Sequence, residues 1–215
     1  MQIKADLHVH TVFSDSVITL KDLVFYAKQS GLNAVAITDH NRIEGAAKFA
    51  KETDLLIIPG IEVSSMHGHI VGLNVHNAIQ RGLSADETVD RIHRAGGIAI
   101  ACHPYALLKG SVGKYVNAKF DAIEVINACA IPFGRSTHKA QQIADTLKLP
   151  CVGGTDAHFG PQIGYGYTVI DADLNVESII AAIKAGRCQA LGKPVPLMMK
   201  LRKQYEFYKK KIGTT

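Results

Sequence analysis

A short apolar run followed by a helical pattern recurs along this chain, and no other feature restricts its fold as strongly. Strand-like runs are read at Ile3 to Val9, Ala34 to Ile37, Leu55 to Ile58, His69 to Val75, Ile98 to Cys102, Ala122 to Ile126, Cys151 to Gly153 and Tyr167 to Ile170. Amphipathic segments lie between them at Thr19 to Gln29, Arg42 to Lys51, Ser84 to Ala95, Phe133 to Leu147 and Val176 to Ala185. Ser84 and Glu87 form a capping-box pattern at the start of the third. Such alternation predicts a mostly parallel sheet with helices outside. About seven strand-helix units favour a distorted seven-stranded, TIM-like (β/α)7 barrel over an open α/β sheet.

The polar residues collect where such a barrel carries its chemistry, at the C-terminal ends of the strands. His8 and His10 stand two apart on the first strand, so their imidazoles project from one face, with Leu7 and Val9 on the other. Asp15, His40, Glu62, His69, His103, Asp156 and His158 follow at or just beyond the ends of later runs. Imidazole and carboxylate are ligands of divalent transition metals, and hydrolytic sites commonly hold two or more ions sharing a carboxylate. So many donors exceed what one ion can use, which predicts a multinuclear centre. Asp6 and Asp39, beside ligand histidines in sequence, are read as hydrogen-bond partners that fix imidazole tautomers.

The stretches Asp6-Leu7-His8-Val9-His10-Thr11, Thr38-Asp39-His40, Pro59-Gly60-Ile61-Glu62, Gly68-His69-Ile70-Val71-Gly72, His103-Pro104 and Gly154-Thr155-Asp156-Ala157-His158 resemble, in order, the successive motifs of the PHP family, named for polymerase and histidinol phosphatase domains. The likeness runs from Ile3 to the neighbourhood of Gly192. It implies a barrel that hydrolyses phosphoesters with up to three divalent metal ions, zinc, manganese or iron. Transferred motif by motif, it implies that His8, His10, Glu62 and Asp156 hold one ion. Glu62, His69 and His103 would hold a second, with Glu62 bridging, and Asp15, His40 and His158 the third. Attack on phosphorus is then expected from a hydroxide at the ions, with no side chain as covalent nucleophile.

Composition narrows the setting. At 215 residues and 47% hydrophobic content the chain can bury a sizeable core, and it reads as one barrel domain over residues 1–195 with a basic helical tail over 196–215. Lys4, Asp6 and His8 interrupt the start of the chain, so neither a signal peptide nor a membrane span is expected, and the location is read as cytoplasmic. Cys102, Cys129, Cys151 and Cys188 form no Cys-x-x-Cys pair and read as small buried residues. Much of the net charge of +5 comes from the tail, through Lys200, Arg202, Lys203, Lys209, Lys210 and Lys211. Leu197, Leu201, Tyr205 and Tyr208 share one side of that tail, which predicts a helix docked by its apolar stripe, with contact to nucleic acid or another subunit as the other reading. Lys109, Lys114 and Arg135, in loops on the active-site side, are candidates for contacts to a substrate phosphate. His67, His76, His93 and His138 carry no motif, and nothing matches a Walker loop or a dinucleotide fingerprint.

Together these readings give hydrolysis of a small phosphate monoester, a nucleotide or sugar phosphate, at a trinuclear centre. The span from His103 to Asp156 has room for little beyond one strand-helix unit and a loop, which predicts an open site. An exonuclease on single-stranded DNA or RNA would use the same ions with the basic tail and the loop from Leu107 to Lys119. Against it stands the shortage of aromatic stacking residues near those lysines. A non-catalytic, metal-holding accessory domain is the third reading. No feature of the sequence sets an oligomeric state.

Overall fold

The computed structural model describes residues 1–212, with side chains up to Tyr208; the side chains of Lys209, Lys210 and Lys211 in the basic tail lie outside the described residues. The elements follow in the order β1 (Gln2–Val9), α1 (Leu20–Gln29), β2 (Ala34–Ile37), α2 (Glu44–Glu52), β3 (Leu56–Ser65), β4 (Gly68–Leu73), α3 (Ala85–Arg94) and β5 (Ile98–Ala101). Then come β6 (Ala122–Asn127), α4 (Phe133–Leu147), β7 (Cys151–Gly154), β8 (Gly166–Asp171), α5 (Val176–Lys184), β9 (Cys188–Gly192) and α6 (Leu197–Ile212). Side chains cap three of the helices at their starts: Thr19 and Ser84 in capping boxes with Asp22 and Glu87, and Asn175 through Ser178 N. Each satisfies backbone N–H groups that the first helical turn leaves unpaired.

The strands form a nearly closed, barrel-like sheet in the order β7-β6-β5-β4-β3-β2-β1-β8-β9. Only half of its pairings are parallel, β1 with β2, β2 with β3, β5 with β6 and β6 with β7; those of β4 and of β8 are antiparallel. The expected mostly parallel sheet is corrected here, and for β4 the short connection is the cause. β3 and β4 are joined by a turn closing at Ser65 and Gly68, and a parallel return needs a crossover of about a dozen residues or more. β9 has no counterpart among the predicted strands, because Cys188-Gln189-Ala190-Leu191-Gly192 lacks the β-branched and aromatic residues that mark a strand.

The barrel interior is filled from every strand between β1 and β8, by residues such as Ile3, Leu7, Ala36, Ile58, Val71, Ile100, Ala122, Val152 and Ile170, and α5 packs into this cluster through Ile179, Ile180 and Ile183. Helices α1 and α2 cover the outside of β1 to β3, and α3 and α4 the outside of β3 to β6. The register of β1 slips between Asp6 and Val9. Leu7 therefore packs in the interior while Val9 packs outward with Leu23 and Phe49, so the strict alternation expected for Leu7 and Val9 does not hold.

The ring closes where the end of β7 meets β1. Asp156 N donates to His8 O (2.7 Å), His10 N donates to Ala157 O (2.9 Å), and Val9 bridges Ala157. Gly153 and Gly154 allow close approach. A Cβ on Gly154 would lie 2.5 Å from His8 Cβ, and one on Gly166 of β8 would collide with the Gly154 carbonyl.

The tail helix α6 docks by a different face from the one its apolar stripe predicts. Leu197, Met198, Leu201, Tyr205 and Tyr208 are exposed, from 49% at Leu201 to 75% at Met198. Met199, Lys200, Lys203, Glu206 and Phe207 form the sheltered side. Val195 N donates to Ala128 O, Met199 packs on the small cluster of Ala128, Cys129 and Val195, and Lys200 Nζ donates to Cys129 O at 3.4 Å. The surface beneath presents backbone carbonyls and a nearby acidic centre, which suits ammonium groups better than leucines. No helix among the described residues is long and apolar enough to cross a membrane.

Candidate metal centre

Glu62, 1% exposed on β3, is the hub. Its Oε1 lies 2.9 Å from His69 Nδ1 and 3.0 Å from His103 Nε2, and its Oε2 lies 3.0 Å from His10 Nε2 and 3.3 Å from both His8 Nε2 and His40 Nδ1. Asp156 Oδ1 stands 3.4 Å from His10 Nε2, 3.5 Å from His158 Nδ1 and 3.8 Å from His8 Nε2. Asp15 Oδ1 lies 3.2 Å from His158 Nε2 and 3.8 Å from His10 Nδ1, with Oδ2 3.8 Å from His40 Nε2. The structure thus brings together all nine residues that the sequence singles out.

Two of them sit on unusual backbone. His103, after β5, has φ +33° and Asp156, after β7, has φ +60°. Non-glycine residues rarely adopt such values, and they persist only where surrounding bonds impose them. Here His103 N donates to Glu124 Oε2 (2.7 Å) and Asp156 N to His8 O (2.7 Å).

The donor set fits divalent metal ions. A tetrahedral ion with bonds of about 2.0–2.1 Å keeps its ligand atoms roughly 3.3 Å apart, and the central contacts fall in this range. His8 Nε2 and His10 Nε2 face each other at 3.2 Å, so their lone pairs repel unless a proton or cation lies between them. His10 Nδ1, His40 Nδ1 and His103 Nδ1 are buried without a hydrogen bond. Ligand atoms gather in overlapping groups: His10, Asp15, His40 and His158; His8, His10 and Asp156; His40, Glu62 and His69; and His8, Cys102 and His103.

Electrostatics agree with the geometry. Burial alone pushes imidazole pKa values down. At His8 it is outweighed by Glu124, Asp156 and Glu62, and at His10 by Asp156 and Glu62, which raise His10 to about 9. Burial would raise the carboxylates, yet Glu62 is held well below the usual range by His8, His10, His103 and His69, and Asp156 by Lys109, His8 and His10. His158 is pushed down to about 4 by burial and by neighbouring His10. The centre therefore draws positive charge onto itself, which divalent ions would supply.

The tautomer-fixing roles expected of Asp6 and Asp39 are corrected by the structure, since neither contacts an imidazole. Asp6 accepts from His8 N, Thr155 N and Gly164 N, pinning β1 to the segment after β7. Asp39 accepts from Thr11 N, Thr11 Oγ1 and Ser14 Oγ, each at 2.7 Å, fixing the turn that carries Asp15. Backbone N–H groups, and for Asp39 two hydroxyls as well, take up both carboxylates in place of a ring. Orientation of His8 falls instead to Glu124, whose Oε1 accepts from His8 Nδ1 at 3.0 Å while Oε2 accepts from His103 N and Asn127 Nδ2. A charged residue inside the apolar run Ala122-Ile123-Glu124-Val125-Ile126 was its visible signal. Cys102, read as a small buried residue, donates its thiol to Glu62 Oε1 at 3.5 Å.

Replacing Glu124 by Gln should weaken metal binding by about 10–100-fold in chelator competition. The amide can keep its oxygen toward His103 N and Asn127, which turns its NH2 toward His8 Nδ1 and drives the proton to Nε2, the atom facing the centre. Unchanged metal affinity would remove Glu124 from this role.

Of the candidate phosphate contacts, only Lys109 reaches the centre, where its ammonium pairs with Asp156 Oδ2. Lys114 is exposed and lies over the Tyr115 ring, and Arg135 is exposed on α4. His67, two residues before His69, accepts from Ala85 N and stacks on Tyr115, away from the ligands.

Comparison with known proteins agrees. Residues 6–146 match the PHP domain model, and residues 134–188 match the PHP-associated model. An uncharacterized protein of Methanocaldococcus jannaschii is 38% identical over 140 residues, covering 58% of this chain and 82% of that protein. The 5′-3′ exoribonuclease Rnm of Salmonella typhimurium is 35% identical over 174 residues, covering 73% of this chain and 57% of the enzyme. Among solved structures, PsfC from Pseudomonas syringae superposes with a TM-score of 0.73 at 17% identity, covering 97% of this chain and 98% of that one. A two-domain Bacteroides vulgatus protein containing a predicted PHP-like metal-dependent phosphoesterase superposes with a TM-score of 0.72 at 20% identity, covering 90% of this chain and 65% of that one. With its motifs in order, its donors gathered around Glu62 and two thirds of its length matched, the chain belongs to the PHP domain family.

Proposed function

We propose that this protein is a hydrolase of small phosphate monoesters, nucleotide or sugar phosphates, working with up to three zinc, manganese or iron ions. The observation that carries this reading is Glu62, one buried carboxylate in contact with five imidazoles through both oxygens. His8, His10, Glu62 and Asp156 would hold one ion, Glu62, His69 and His103 a second, and Asp15, His40 and His158 a third. Ions held there would supply a hydroxide near neutral pH and neutralise phosphoryl oxygens. Lys109 secures Asp156 through Oδ2 and leaves Oδ1 toward the histidines. Glu124 holds His8 with Nε2 free to ligate. Asp39 keeps the Thr11–Ser14 turn in place and with it Asp15.

The second reading, stepwise removal of nucleotides from a 5′ end, is favoured by the likeness to the 5′-3′ exoribonuclease Rnm, of which the chain spans 57%. Manganese- and zinc-loaded protein should release phosphate from one or more members of a monoester panel, and His8→Ala should not. Degradation of a 5′-phosphorylated oligonucleotide with no monoester turnover would replace the first reading by the second. Inactivity on both, with metal bound, would leave a metal-holding domain without hydrolysis.

A further inference from the structure

Helix α6 lies beside the metal centre, across the loops that leave β6, β7 and β1. At its start Met199 and Lys200 rest on Ala128 and Cys129, which follow β6. Cys129 N in turn donates to Thr155 O, the residue before Asp156. Further along, the Arg202 guanidinium stands 6.0 Å over the Phe159 ring, after β7, and Glu206 lines a cavity with Phe159, Val12 and Val17. Lys203 lies between these anchors on the same helical face, one turn from Lys200 and from Glu206. It is half-buried, its ammonium is 5.4 Å from the Phe207 ring, and it has no ion-pair partner among the described residues. Asp156 and Asp15 both act on its charge.

An ammonium partly sheltered from water with no ion-pair partner in contact is less favourable than one that a ligand anion pairs directly. Lys109 does not share this state, because Asp156 already occupies it. We propose that Lys203, with Lys200 beside it, forms the anion subsite of the metal centre, taking the oxygens of a terminal phosphate dianion. This assignment rests on the phosphoesterase reading and names the phosphate-binding element as the tail helix, not the Leu107 to Lys119 loop. Burial lowers the pKa of both lysines, which increases what each gains from an arriving dianion.

The test uses the metal-loaded full chain, with inorganic phosphate as probe in calorimetry and metal content measured on the same samples. Lys203→Met, similar in length and uncharged, should keep its metal and bind phosphate about tenfold more weakly. It should raise KM for a monoester about tenfold and move kcat less than about twofold, with Lys203→Arg recovering most of the loss. Lys184→Met, at an exposed position of α5, is the control. Unaltered phosphate affinity in Lys203→Met overturns the proposal, and so does loss of metal together with affinity, which would make Lys203 a structural support. A mononucleotide and a 5′-phosphorylated oligonucleotide serve as competitors. Weakening of both supports a terminal-phosphate subsite, whereas weakening of the oligonucleotide alone assigns Lys203 to internal phosphates and overturns it. If metal-loaded wild-type protein binds no phosphate, the phosphoesterase reading falls as well.

Discussion

Glu62→Gln is expected to leave the protein short of two metal ions and to lower phosphoester turnover by about 10³-fold or more, a loss of roughly 4 kcal/mol in transition-state stabilisation. The substitution preserves size and removes one charge. Both carboxylate oxygens face imidazole nitrogens at 2.9–3.3 Å, and a Gln places an NH2 group against one set of them. His69 and His103 share Oε1, while His8, His10 and His40 share Oε2, so the new amide disturbs a neighbouring ligand group whichever way it turns. His158→Ala removes a ligand from one group at the edge of the centre and should cost about one ion. Elemental analysis of the two variants, purified after metal-replete expression and checked for native melting, decides the matter. Equal losses of a single ion would contradict the bridging role of Glu62.

Gly154→Ala is expected to destabilise the fold by about 1–3 kcal/mol through overpacking and to reduce metal content with it. The added methyl would lie 2.5 Å from His8 Cβ, 2.8 Å from Glu124 Oε1 and 2.9 Å from His8 N. No rotamer relieves this contact, since the methyl is fixed to the backbone, so β7 must retreat from β1 or His8 must turn off its ligand position. Gly134→Ala, at a helical site with open space around it, is the matched control and should stabilise by about 0.5–1 kcal/mol. Denaturant melts of both variants, in chelator and in excess zinc, separate the packing penalty from the metal penalty. A Gly154→Ala protein as stable and as metal-rich as the wild type would show that the seam can open without strain.

What the sequence disclosed and what it hid follow from how far each interaction reaches along the chain. Apolar runs with a period of two and helical segments with capping residues are local patterns, so the barrel and the placement of its polar strand ends were legible. Direction was less so. The antiparallel setting of β4 depends on the short turn between Ser65 and Gly68, and β9 is held by its pairing to β8 more than by its own residues. Asp6 and Asp39 were near ligands in sequence, yet their partners are the backbone N–H groups of Thr155, Gly164 and Thr11 and, for Asp39, the hydroxyls of Thr11 and Ser14. Glu124 shows the converse, a residue 116 positions from His8 that sets its ring. For α6, hydrophobicity pointed to the wrong face because the surface it meets sets a small apolar cluster beside backbone carbonyls and an acidic centre, which Met199 and Lys200 fit better than leucines do.

The closure at Val9 and Ala157 has a consequence for the order in which the molecule is made. Seven of the ligand residues precede Pro104 and two follow Thr155, and the partners at the seam are separated by about 150 residues, a contact of the kind that forms late. During synthesis the early strands can hold only a partial ligand set, open to solvent and weak for any cation. Asp156 and His158 complete it as the final strands join the first, so metal capture and ring closure would become one event. Bound ions would then act as a clasp between the two ends of the barrel, and their removal should loosen the seam between β1 and β7 before it loosens the sheet on the far side.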